Sequence, residues 1–140
     1  MRCRHMFVAL AGVGLMFGVV PISAHHAFSS EFDAEKPIKL EGPITKTEWI
    51  NPHAWIHIDV KKPDGTTEEW MIEGGTPNTL MRRGISKDTL KVGTQIVVTG
   101  YQAKDGSLRA NGRDLTYPDG RKLFLGSQGT GAPYDKPKDK

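Results

Sequence analysis

Between residues 37 and 126, apolar and polar positions alternate in short blocks separated by turn residues. The clearest block is "HAWIHIDVK" (53–61), where Ala54, Ile56, Ile58 and Val60 fall on one side and His53, Trp55, His57 and Asp59 on the other. That is the period of two of a strand with one buried face. "KPDGT" then supplies Pro, Asp and Gly in turn order, and "TEEWMIEG" (67–74) returns. The apolar sets choose the register. A two-residue loop at Asp64-Gly65 would set Ile56 against Glu73 and Val60 against Glu69. A three-residue loop, Pro63-Asp64-Gly65 with Gly65 left-handed, sets Ile58 against Trp70 and Ile56 against Ile72, and is the register expected. The other face then carries His57 opposite Met71, Trp55 opposite Glu73, and Asp59 opposite Glu69.

Upstream, "PIKLEGPITKTEW" (37–49) has strand character, interrupted at Gly42-Pro43, where a bulge or sharp bend is expected because proline cannot donate to a ladder. Downstream, "TPNTLMRRG" (76–84) predicts a short helix, with Thr76 as cap, Pro77 in the first turn, Arg82 and Arg83 in the last, and Gly84 as stop. "TQIVVTGYQA" (94–103) and "SLRANGRDLTY" (107–117) predict two more strands around "KDG", and "PDGRKLFLG" offers a final short one. The order is strand, strand, strand, helix, strand, strand. It predicts an all-β domain with one short helix, a five-stranded barrel of the oligonucleotide/oligosaccharide-binding (OB-like) type. A β-sandwich or a half-open sheet capped by the helix are the alternatives.

The first 24 residues follow a different pattern. Arg2 and Arg4 precede an uncharged apolar block from Met6 to Val20, Pro21 breaks it, and Ile22-Ser23-Ala24 ends on a small residue. This is the layout of a secretory signal peptide, and the block is shorter than the ~20 residues of a membrane span. Cleavage is expected after Ala24, with a periplasmic or secreted destination and no membrane span afterwards. Residues 25–36 carry Phe28 and Phe32 among polar residues and read as an arm that floats or docks its rings. Residues 37–126 form the domain. Residues 127–140, rich in Gly, Pro and Lys, read as a disordered tail.

Charge and cysteine usage narrow the partners. The full chain has 19 Lys and Arg against 16 acids; without Arg2 and Arg4 the 17 remaining bases nearly balance them. There is no electrostatic case for nucleic acid. Cys3 is the single cysteine and leaves with the leader, so the mature chain of 116 residues (140 less 24) holds by packing alone.

Four stretches taken together, "HHAFSSEFD", "WINPHAWIHIDV", "EEWMIEGGTPNTLMRRG" and "LKVGTQIVVTGYQAKDGS", resemble a family of small, uncharacterised bacterial exported proteins. Its marks are His-His-x-Phe after the signal, an Asn-Pro-His segment, and the glycine-spaced stretch from Leu90 to Gly100. The resemblance runs from about His25 to Leu125. It implies an exported all-β domain of unknown function and no particular activity.

Candidate chemistry centres on histidine, the commonest metal ligand. Cleavage after Ala24 would give His25 a free α-amine beside its own ring, a compact pair for copper, which favours nitrogen-rich square-planar sites. His25, His26 and His53 are the candidate ligands for copper or a related divalent metal. His53 and His57, four residues apart on one strand, lie ~13 Å apart and cannot share one ion. His57 with Met71 opposite would instead suit Cu(I). Without metal, the face showing Trp55, His57, Met71 and Glu73 would take a sugar, a cationic ligand or a peptide; a small ligand, a metal ion and a periplasmic protein are all partners compatible with it. No enzyme is expected: a cysteine nucleophile and a serine elbow are missing from the mature sequence, and "GGTPN" lacks the spacing and lysine of a phosphate loop.

Overall fold

The structure, a computed structural model, describes residues 28–135. The leader, the expected cleavage point, His25, His26 and residues 136–140 lie outside them. The order is α1 (Phe28–Glu31), β1 (Phe32–Trp49), β2 (Ala54–Lys61), β3 (Thr67–Glu73), α2 (Pro77–Arg82), β4 (Gln95–Ala103), β5 (Arg109–Thr116) and β6 (Lys122–Phe124). A 3₁₀ turn at Pro133–Asp135 follows. The fold is mostly antiparallel β-sheet with two short helices. The sequence led to one helix, and β6 joins the five strands as a sixth.

β1 is 18 residues long because it serves two neighbours in turn. Pro37 to Pro43 pair with β4, and Ile44 to Trp49 pair with β2. The handover falls at the Gly42-Pro43 break, with the register slip two residues further on, between Ile44 and Lys46. A side chain at Gly42 would collide with the Asp59 carbonyl of β2, which explains the glycine where the strand changes partner.

β2 and β3 adopt the expected register, with Ile58 opposite Trp70, Ile56 opposite Ile72, His57 opposite Met71 and Trp55 opposite Glu73. Lys62 and Thr66 close the three-residue loop (Lys62 N–H to Thr66 O, 2.7 Å), and Gly65 has the left-handed φ of 87° that the turn needs. A short parallel joint, Met71–Arg109, Ile72–Ala110 and Glu73–Asn111, links β3 to β5. Pairing therefore runs β1–β2–β3–β5–β4 and back to β1. Inside this ring lie Ile44, Ile56, Ile58, Trp70, Ile72, Ile96, Val98 and Leu115.

α2 sits in the link between β3 and β4. Thr76 caps it, its Oγ1 accepting from Thr79 N–H at 3.3 Å, and Pro77 opens it. Leu80 on its inner side is fully buried in the same core. Gly84 ends it with a φ of 85°.

A second, smaller cluster forms outside the ring. Phe28 and Phe32 pack with Ala103 and Ala132, and Tyr101 and Tyr134 lie against them. Phe28 meets Tyr101 edge-on at 5.4 Å between ring centres, and its N–H donates to Thr130 O at 2.8 Å. The arm thus docks both rings. The reading of residues 127–140 as a disordered tail is corrected as far as Asp135. Asp135 Oδ2 accepts from Thr130 N–H (2.8 Å), Thr130 Oγ1 (3.0 Å) and Gly131 N–H (3.0 Å), and Ala132 is buried. Composition misled here because the few apolar atoms of this segment are satisfied by the distant arm.

Candidate functional site

The ring alternation that turns Ile56, Ile72 and Ala110 inward leaves a second set of residues on the outside. Trp55, Glu73, Asn111 and Tyr101 form one row across β2, β3, β5 and β4. Lys46, His57, Met71 and Arg109 form the next row across β1, β2, β3 and β5.

Glu73 is the chemical centre of the first row. It is buried on a face that a bare strand would leave wet, and Glu31 of α1 and Tyr134 lie near enough to interact with its charge. Asn111 Nδ2 lies 3.4 Å from its Oε1, and Tyr134 donates its hydroxyl to Asn111 Oδ1 at 2.7 Å. Burial raises the Glu73 carboxyl above its usual 4.5, and the nearby Glu31 charge adds to this; His53, Asn111 and Arg109 pull the other way. Burial likewise pushes the Tyr134 phenol up to about 12. Beside Glu73, Arg109 pairs with Glu31 at 3.0 Å and holds its guanidinium over the Trp55 ring, 5.3 Å from the ring centre.

His53 follows a cis Asn51–Pro52 bond just before β2. Its Nδ1 is 3.2 Å from Gly74 O and 3.7 Å from Glu73 Oε1. A carbonyl only accepts, so the hydrogen bond to Gly74 needs a proton on Nδ1.

In the second row, His57 has Met71 opposite, as the register requires, but its ring serves other partners. Nε2 is 2.8 Å from Glu48 Oε2 and Nδ1 is 3.4 Å from Glu69 Oε1. Hydrogen bonds from Lys46 and then from His57 lower the Glu48 carboxyl below 4.5. His57 thus sits between two carboxylates, with Met71 opposite it on β3.

The predicted ligand residues are thus brought together in part. Trp55 and Glu73 adjoin, with His53 at the Glu73 end, while His57 and Met71 stand one row away. Among the described residues no three His, Cys, Asp or Glu side chains form a group suited to a metal ion. Sequence reasoning passed over Asn111, Tyr134, Arg109 and Glu31. The parity of "RAN" in β5 does place Arg109 and Asn111 on one face, but only the parallel joint to β3 brings them to Met71 and Glu73.

These features describe a β domain whose outer face is a covered polar network. Residues 14–112 match DUF6152, a family of unknown function, and the chain belongs to that family. No curated protein matches the chain. Among the described residues, no helix is long and apolar enough to cross a membrane.

Proposed function

We propose that this is an exported, non-catalytic binding protein on an OB-like barrel, taking a cationic ligand or a basic peptide on the outer face of β2 and β3. The barrel reading is supported by the pairing order, with β1 shared between β2 and β4, the β3–β5 joint, and α2 between β3 and β4. Export is supported by the leader-like first 24 residues. The observation that carries the ligand reading is Arg109 over Trp55, paired with Glu31. The chain's own guanidinium occupies an aromatic surface beside Glu31 and Glu73, and a ligand cation would be recognised by the same groups. The test is titration with a short arginine-containing peptide, followed by tryptophan fluorescence. A saturable change is expected, lost in Trp55→Ala and strengthened in Arg109→Ala, which vacates the ring. A flat titration in all three proteins removes the reading.

A second reading is copper or a related divalent metal at His25 and His26, with His53. It is favoured by the Nδ1 bond of His53 to Gly74 O, the backbone contact that commonly orients a metal-binding imidazole. Arg83, which lines the same cavity as His53, weighs against a cation there and leaves the N-terminal amine and rings as the stronger donors. Cu(II) titration of protein beginning at His25 tests it, with mass spectrometry of the exported chain fixing the start. A stoichiometric d–d band lost in His25→Ala/His26→Ala is expected; no tight binding ends this reading.

A further inference from the structure

At the turn between β3 and α2 lies a cavity of about 160 Å³. His53, Thr76, Thr79, Arg83, Ser127 and Gln128 line it. Thr79, Arg83, Ser127 and Gln128 carry the donors that remain, since His53 Nδ1 serves Gly74 O and Thr76 Oγ1 serves Thr79 Oγ1, and there is no carboxylate among the lining residues.

Arg83 gives the cavity its sign. Its Nη1 donates to Gly126 O at 2.7 Å and to Phe124 O at 3.4 Å, and its guanidinium lies 4.7 Å from the Phe124 ring centre. These contacts fix the plane of the group and use one nitrogen. Nε and Nη2 make no hydrogen bond among the described residues, and no acid among them pairs with Arg83. Burial, and then the neighbouring Arg82 charge, lower its pKa, as expected of a partly desolvated cation with no counter-charge. An unpaired cation next to a cavity is a cost that an anion would offset.

A second observation concerns a residue of the same lining. Ser127 Oγ is buried and has no hydrogen-bond partner among the described residues. Buried hydroxyls are almost always bonded, so an orphan among the lining residues marks a missing partner, for which a hydroxyl can donate.

Size selects the ligand. The volume of about 160 Å³ equals roughly five water molecules and falls short of the ~300 Å³ at which drug-sized ligands begin. We infer that the cavity between α2 and residues 127–128 binds a small oxyanion of phosphate or sulfate size, with the free edge of Arg83 and Ser127 Oγ as principal donors. The free edge of a guanidinium presents parallel N–H groups that suit two oxygens of one such ion, and Ser127 would take a third. The ion is either free or the head of a larger molecule whose remainder projects out of the mouth.

The test is an amide-detected NMR titration of the purified protein with inorganic phosphate in the presence of a chelator, so that no metal contributes. Saturable shifts are expected at Gly75, Thr76, Ser127 and Gln128. Ser127→Ala should weaken binding about tenfold without lowering the melting temperature, since the hydroxyl holds nothing in place. Arg83→Gln should abolish binding; because it also loses the Gly126 contact, Ser127→Ala is the decisive variant. A phosphate monoester run in parallel separates the sources: equal or tighter binding assigns the head of a larger molecule, and weaker binding assigns the free ion. Absence of saturable shifts at these amides, or equal affinity in Ser127→Ala, overturns the inference. Neither outcome touches the arginine-peptide titration, which reads Trp55 and Arg109.

Discussion

Glu73 and Asn111 stand side by side across the parallel joint of β3 and β5, with the amide nitrogen of one 3.4 Å from the carboxyl oxygen of the other. The pair ties together strands far apart in sequence, and Tyr134 closes it from outside through a 2.7 Å bond to Asn111. Replacing Tyr134 by Phe keeps the ring against Tyr101 and Phe124 but leaves Asn111 Oδ1 without that donor. The expected loss is about 1–2 kcal/mol in urea unfolding; unchanged stability would mean that water replaces the hydroxyl at no cost.

Glu48 links the end of β1 to His57 and gives an acid-side signature. Its carboxyl is lowered in the folded state, by Lys46 and His57. The sign follows from proton linkage: the unfolded chain binds this proton more readily, so the stabilisation is present above 4.5 and is lost as pH falls through the lower folded-state value. Glu48→Gln should therefore unfold more easily than the parent protein at neutral pH and match it in acid. Parallel stability curves across that range would contradict the linkage.

Two glycines separate collision from conformation. Gly42→Ala drives a methyl group into the Asp59 carbonyl at the handover of β1, and about 3 kcal/mol of destabilisation is expected. Gly65→Ala meets no atom within 4 Å, yet must hold a φ of 87°, at about 1–2 kcal/mol. Denaturant midpoints should rank them in that order.

Truncation after Gly126 removes Ala132 and Tyr134 from the outer aromatic cluster and the Thr130 carbonyl from Phe28 N–H. The Phe28 amide should lose its hydrogen-exchange protection, while Ile56 and Ile72 in the ring keep theirs. Uniform loss at all three would mean that the tail supports the whole fold and not only the arm.

How much of this was legible follows the range of the interactions. The β2–β3 register could be read because a three-residue loop and two apolar alternations agree within 20 residues. The helix could be read because Thr76, Pro77 and Gly84 each have a local role. The β3–β5 joint could not: Met71 and Arg109 pair across nearly forty residues, and nothing local in "RAN" names its partner. Trp55 and Glu73 were visible as a facing pair, while the burial of Glu73 depends on Asn111 and Tyr134 arriving from two other segments. His57 was read with its opposite neighbour Met71. Its actual partners, Glu48 and Glu69, sit diagonally, and a rule of direct opposition does not reach them.

The bond from Phe28 N–H to Thr130 O brings the two ends of the domain together. A short linker could join them, and the backbone could then be reopened at Pro63–Gly65, where the β2–β3 loop makes its turn. Such a circular permutant would keep every strand pairing while moving the attachment point of any fused tag to the far end of β2.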